Sequence, residues 1–303
     1  MLPATERSDS GAYLLPSVTD NEEEVARLDL LHNAFREYFD GGLCAFQLKN
    51  ERPKRVLELG CGSGAWAIQA AIDFPEAHVV AVDISPLPAP RVLPDNMSFQ
   101  FVDLKEELPF ERESFDIVHA RMVMINIPNA KDVIHKAARL VKPGGLLLLD
   151  DMDDKSFLDT GGPEVRRCFE KIMELWRMSG SDLEMGRKFQ GILDETGWFS
   201  DVRVEKIGIP LGGCAHDERL NKLGLRSQLF AQRFVMTAGA RLAGEGLTEE
   251  MVQGFVKEVD GVGCTAVWDF YFYAARRGVL VESDSDARDT GFSRSLSPKR
   301  EGA

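Results

Sequence analysis

A chain of 303 residues with 44% hydrophobic content has apolar mass for one large core, or one core with a small subdomain. Its formal charge of −13 and pI near 5.0 argue against a phosphate-tracking surface, so nucleic acid is not an expected partner. Five scattered cysteines, never spaced C-x-x-C, suit reduced thiols in a cytoplasmic or nuclear setting, and five histidines without a short Cys/His cluster predict no metal.

No run of about eighteen apolar residues is present, so no membrane partner is expected. Residues 1–19 read as a flexible, polar start. The segment 20–42 predicts a helix with Val25, Leu28, Leu31, Phe35 and Tyr38 on one apolar stripe, Asp20 as its cap and Gly41-Gly42 as its end. It belongs to an N-terminal helical cap over 20–50. From 55 to about 151, short apolar runs (VLEL, VVAVD, SFQFVD, FDIVHA, LLLLDD) alternate with helical patterns at 65–74 and 132–141. Near-continuous apolar strands separated by helices predict a doubly wound α/β sheet.

Helical patterns follow at 163–178 and 186–198, with strands at 201–211 and, rich in aromatic residues, 266–277. The roughly fifty residues between those strands, 212–263, are too long for an ordinary connection and read as a helical lid insert. The domain as a whole spans 20–280, and 281–303 reads as a disordered tail.

The string Gly60-Cys61-Gly62-Ser63-Gly64-Ala65 satisfies a dinucleotide fingerprint and a G-x-G-x-G loop equally, so the glycines alone do not choose a cofactor. Glycine lets such a turn be tight and lets a ligand touch backbone at a helix start. The neighbouring acids favour S-adenosylmethionine (SAM) over NAD: Glu58 would repel a pyrophosphate but suits an ammonium and a sulfonium. Asp83, ending the second strand run, can accept from ribose hydroxyls, and Asp103, ending the third, from the adenine amine.

The motifs ELGCGSG, VVAVDIS, FVDL, SFDIVHAR and LVKPGGLLLL resemble those of class I SAM-dependent methyltransferases. The chain is more closely similar to LaeA-like fungal methyltransferases, through 13-YLLP-16, 27-RLDLLH-32, 60-GCGSGAWA-67 and 83-DISP-86, a match covering about residues 13–151. The resemblance implies a Rossmann-like seven-stranded sheet with the last strand antiparallel. It carries Gly60, Gly62 and Gly64 onto the methionine side of SAM, Ile84 and Leu104 onto the adenine, and Ala120 and Arg121 onto the methionine moiety. Tyr13 and His32, in the N-terminal motifs, would join the cofactor site. In 126-NIPNAKD-132 the chain lacks the acidic-aromatic pair that faces substrate in family members.

Methyl transfer from a sulfonium mainly requires alignment and exclusion of water, with a base only for a weak nucleophile. His119 is the candidate base, although a histidine within FDIVHA also reads as packed core; His216 in the insert is a weaker candidate. Phe230, Phe234 and Met236 are candidate acceptor contacts, because a lid turns apolar surface towards its ligand. Trp268 and the aromatic run after it read as core. Three functions follow: methylation of an oxygen, or less readily a nitrogen, of a small apolar metabolite in fungal secondary metabolism; a LaeA-like regulatory protein acting through protein partners; and an NAD-dependent oxidoreductase. Oligomeric state is open.

Overall fold

The structure, a computed structural model, describes residues 21–214 and 216–279. Tyr13, the start at 1–19 and the tail at 281–303 lie outside the described residues. Seven strands form one sheet: β1 (Arg55–Leu59), β2 (His78–Asp83), β3 (Met97–Phe101), β4 (Phe115–Arg121), β5 (Val141–Asp153), β6 (Phe199–Pro210) and β7 (Val267–Arg277). Their order is β3-β2-β1-β4-β5-β7-β6, with β7 antiparallel to both neighbours and the first five parallel. Hydrophobic residues of β1, β2 and β4 are buried almost without interruption, as a sheet covered on both faces requires. Because the order reverses between β1 and β4, a crevice opens at their carboxyl ends.

Helices α2 (Ala65–Asp73), α3 (Ala130–Leu140), α4 (Lys155–Thr160), α5 (Pro163–Met178) and α6 (Met185–Thr196) cover the sheet. The N-terminal helix α1 (Glu22–Tyr38) is capped by Asn21, whose side chain accepts from Glu24 N at 3.0 Å; Asp20, the expected cap, lies outside the described residues. The insert folds as α7 (Glu218–Leu242) and α8 (Glu249–Val259); α7 packs along α1, and α8 against α5.

The face that α1 buries differs from the expected stripe. Leu31, Ala34 and Phe35 are buried, but so are Glu24 and Arg27, whereas Val25, Leu28 and Tyr38 are only partly covered. Arg27 and Glu24 neutralise one another, Nε to Oε2 at 2.7 Å and the second guanidinium nitrogen to Oε1 at 2.5 Å, so the pair can leave water together. Phe35 fixes the helix to the sheet, its ring 4.7 Å from that of Phe270 and 5.2 Å from that of Phe272 on β7. Phe35→Ala is expected to cost about 3 to 5 kcal/mol through lost burial and the cavity left behind. Urea unfolding measures the loss, and hydrogen exchange should locate the loosened amides first in α1.

Candidate active site

The crevice is built from strand ends. Glu58 of β1 faces Ala81 of β2 and His119 of β4 in register, and Arg121 of β4 faces Asp150 of β5. After β1 the chain turns through Gly60 and Gly62, at φ +64° and +52°, left-handed conformations that favour glycine. A side chain on Gly60 would also meet Val123 Cγ2 at 2.6 Å. Asp83 secures the loop from β2: one carboxylate oxygen accepts from Gly62 N and the other from Ser85 N, both at 2.9 Å. Asp103 lies two residues beyond β3 and accepts from Lys105 N at 3.0 Å.

Beneath the loop runs a buried ionisable row. His119 is wholly buried, stacked on Trp66 at 3.7 Å, with Nδ1 3.6 Å from Glu58 Oε1 and Nε2 3.2 Å from Asp150 Oδ2. The first distance is too long for a hydrogen bond. Asp150 Oδ2 also accepts from Arg121, at 2.9 Å from Nε and 2.8 Å from a terminal nitrogen, and Arg121 donates onward to the Leu43 carbonyl at 2.9 Å. Burial raises the Glu58 carboxyl above its usual range, opposed by His119 and Arg121. Its Oε2 has no hydrogen-bond partner among the described residues, and neither has Nδ1 of His32. An orphaned acidic oxygen on the wall of a cavity suits a cationic ligand group.

That cavity, of about 240 Å³, lies over the loop; Glu58, Gly60, Gly62, Asp83, Ile84, Asp103, Leu104, Arg121 and His32 all line it. An annex of about 50 Å³ adjoins it, and Leu28, Met122, Asn126 and Trp176 line both spaces. Trp176 Nε1 donates to Asn126 Oδ1 at 3.2 Å, and Asn126 Nδ2 donates to the Met122 carbonyl at 3.0 Å, so the junction is braced. Met122 sits at φ +55°, a strained conformation for a long side chain and one that such junctions concentrate. Phe230 and Phe234 of α7 line the annex with Arg27, Phe157, Phe169, Asp154 and Trp268.

Several expected site residues lie elsewhere. Gly64 heads α2 and its missing side chain makes room for Leu87; it is not among the cavity-lining residues. Ala120 is packed in the core, because alternation along β4 turns Arg121, not Ala120, to the cavity. His119, the expected base, supports the wall from behind, screened by Glu58 and Trp66, which do line the cavity. Met236 is 53% exposed on α7 and lines neither space. Conversely, Asp154 and Arg27 were not expected at a site, and Trp268, read as core, lines the annex together with Trp176. Trp268 and Asp154 meet across 114 residues of sequence, the indole Nε1 donating to Asp154 Oδ1 at 2.9 Å. Burial above all, with the nearby Asp153 adding, pushes the Asp154 carboxyl up to about 8, against the Trp268 hydrogen bond.

The seven-stranded sheet and the cavity at its switch point define a Rossmann-like α/β protein with a ligand site over the glycine loop. A methyltransferase-domain model matches residues 30–198, and the chain belongs to that family. It is 33% identical over 277 residues to methyltransferase str2 of Strobilurus tenacellus, covering 90% of this chain and 98% of the relative. It is 38% identical over 226 residues to str3 of the same fungus, covering 74% and 79%. It is also 30% identical over 276 residues to the secondary metabolism regulator laeA of Coprinopsis cinerea, covering 86% and 66%. Its fold is similar to that of phosphoethanolamine N-methyltransferase 2 of Haemonchus contortus, with TM-score 0.50 and 20% identity over 83% of this chain and 57% of that one. The protein is thus a SAM-dependent methyltransferase related to the LaeA-like proteins, and SAM is its cofactor. The NAD reading falls with that assignment. No described helix is long and apolar enough to cross a membrane.

His32 gives the site a measurable pH signature. Its imidazole is pushed down to about 3, first by burial and then by the positive charges of Arg121 and Arg36, with smaller effects from His119 and Arg91. The unfolded chain therefore takes up a proton near pH 6.5 that the folded chain refuses, so stability is lost as pH falls from about 6.5 towards 3. His32→Gln removes this dependence. Thermal unfolding without ligand should show the variant gaining on wild type below pH 6.5, by up to about 1.4 kcal/mol per pH unit.

Proposed function

We propose that the protein transfers the methyl group of SAM to an oxygen of a small, apolar metabolite in fungal secondary metabolism. The observation that carries this reading is the annex. An apolar, aromatic-walled space adjoins the cofactor cavity across Met122 and Asn126, where an acceptor can be aligned and water excluded. Bound SAM would supply the electrophilic methyl carbon. Glu58 would hold its ammonium, Arg121 and the Gly60–Gly62 backbone its methionine end, and Asp83 its ribose hydroxyls. Asp103, Ile84 and Leu104 would frame the adenine, and His32 would close the cavity from α1.

Similarity to the laeA regulator supports a second reading, a SAM-binding protein that acts through protein partners. Such a protein would need an open face over the methyl group. The annex is bounded instead by Phe157, Phe169, Phe230 and Trp268, all buried, which favours a small-molecule acceptor.

Calorimetry should show binding of SAM and S-adenosylhomocysteine but not NAD, with at least a tenfold loss in Asp83→Ala. Incubation with methyl-labelled SAM and a fungal metabolite extract should then yield organic-soluble label that survives mild alkali, as a methyl ether does and an ester does not. Label appearing only on protein would favour the regulatory reading.

A further inference from the structure

Among the annex-lining residues, Asp154 is a carboxyl with no cation paired to it. Asp154 stands at the N-cap of α4, where an aspartate normally accepts from the first free amides of the helix, yet its side chain makes no such bond. It turns inward, is 2% exposed, and takes the Trp268 indole N–H among aromatic walls. Asp153 supplies the cap instead, its Oδ1 accepting from Lys155 N at 3.2 Å, whereas burying the Asp154 carboxyl costs stability.

We propose that the annex seats the uncharged, hydroxyl-bearing aromatic end of the methyl acceptor, with Asp154, aimed by Trp268, as the hydrogen-bond partner of that hydroxyl. This rests on the methyltransferase reading above and adds to it the acceptor's chemical class. The annex lining includes the rings of Phe157, Phe169, Phe230 and Trp268, whose free edges and faces suit an aromatic guest.

Charge selects against an acidic guest. The cation on the annex wall, Arg27, is held bidentately by Glu24, and its guanidinium lies 4.4 Å over the Phe230 ring, so it is already neutralised. The other charged groups near Asp154 are Asp151 and Asp153 on β5, Arg187 of α6 engaged with Asp153, and Lys155 of α4 paired with Asp159. From α5, α7 and β7 the lining is apolar or aromatic. A carboxylate would find no free cation here and would lose its hydration. With its carboxyl pushed up to about 8, Asp154 is mostly neutral at pH 7, and a neutral carboxyl can both donate to and accept from a hydroxyl.

Three matched probes test this on the whole protein with S-adenosylhomocysteine present: 4-propylphenol, its methyl ether 4-propylanisole, and 4-propylbenzoate, each titrated calorimetrically at pH 7. The phenol is expected to bind at least tenfold more tightly than the other two. Asp154→Val should abolish that preference while leaving S-adenosylhomocysteine affinity within about twofold, and Trp268→Phe should weaken phenol binding three- to tenfold. Benzoate or anisole binding as well as the phenol in wild type would overturn the proposal, whether or not the variants fold. So would an Asp154→Val protein that keeps the preference. If S-adenosylhomocysteine binds and none of the probes does, the annex assignment fails while the methyltransferase reading stands. If S-adenosylhomocysteine itself does not bind, the underlying reading falls and takes the proposal with it.

Discussion

The buried row Glu58–His119–Asp150–Arg121 is the interaction on which the rest of the site depends. It crosses three adjacent strands at their carboxyl ends, and it is held by strand register, not by loops. Two acids and one guanidinium leave the row one positive charge short when His119 is neutral. Taking unmatched charge out of water is expensive, so such a row is tolerable where a ligand completes it. Burial of Glu58 lifts its carboxyl above the usual carboxylate range, and a bound cation would lower it again. The same row fixes Trp66 and, through Arg121 and the Leu43 carbonyl, the segment following α1.

Helix α1 links the cavity and the annex. Its Phe35 anchors it to β7, Leu28 lines both spaces, His32 and Glu24 face the cofactor cavity, and Arg27 faces the annex. The Arg27–Glu24 pair thus stands in the wall between the two spaces. Because α7 packs along α1, the insert and the N-terminal cap form one layer over the strand ends, and any closure of the insert must carry α1 with it.

Much of this was legible in the sequence, and what was not has a physical reason. Strands buried on both faces show as unbroken apolar runs, and the helices between them show as periodic patterns, so the sheet could be read directly. Glu58, Asp83 and Asp103 were legible because each sits at or just beyond a strand end, where only side chains of the crevice can lie. Alternation was not followed through at residues 119–121: it turns Ala120 to the face opposite Arg121, while His119, on the same face as Arg121, is screened from the cavity by Glu58 and Trp66. The annex left no local signal. Arg27, Asp154, Trp176 and Trp268 come from four separate segments, and nothing in the spacing of any one of them points to the others. Only the antiparallel return of β7 beside β5 brings Trp268 to Asp154.

The most direct measurement is calorimetry of SAM binding to wild type and Glu58→Gln, each in two buffers of different ionisation enthalpy. A row that is one positive charge short predicts at least tenfold weaker binding to the variant. It also predicts proton release on binding to wild type that is absent from Glu58→Gln. Equal affinity with equal proton release in both proteins would contradict it, and would remove Glu58 from cofactor recognition.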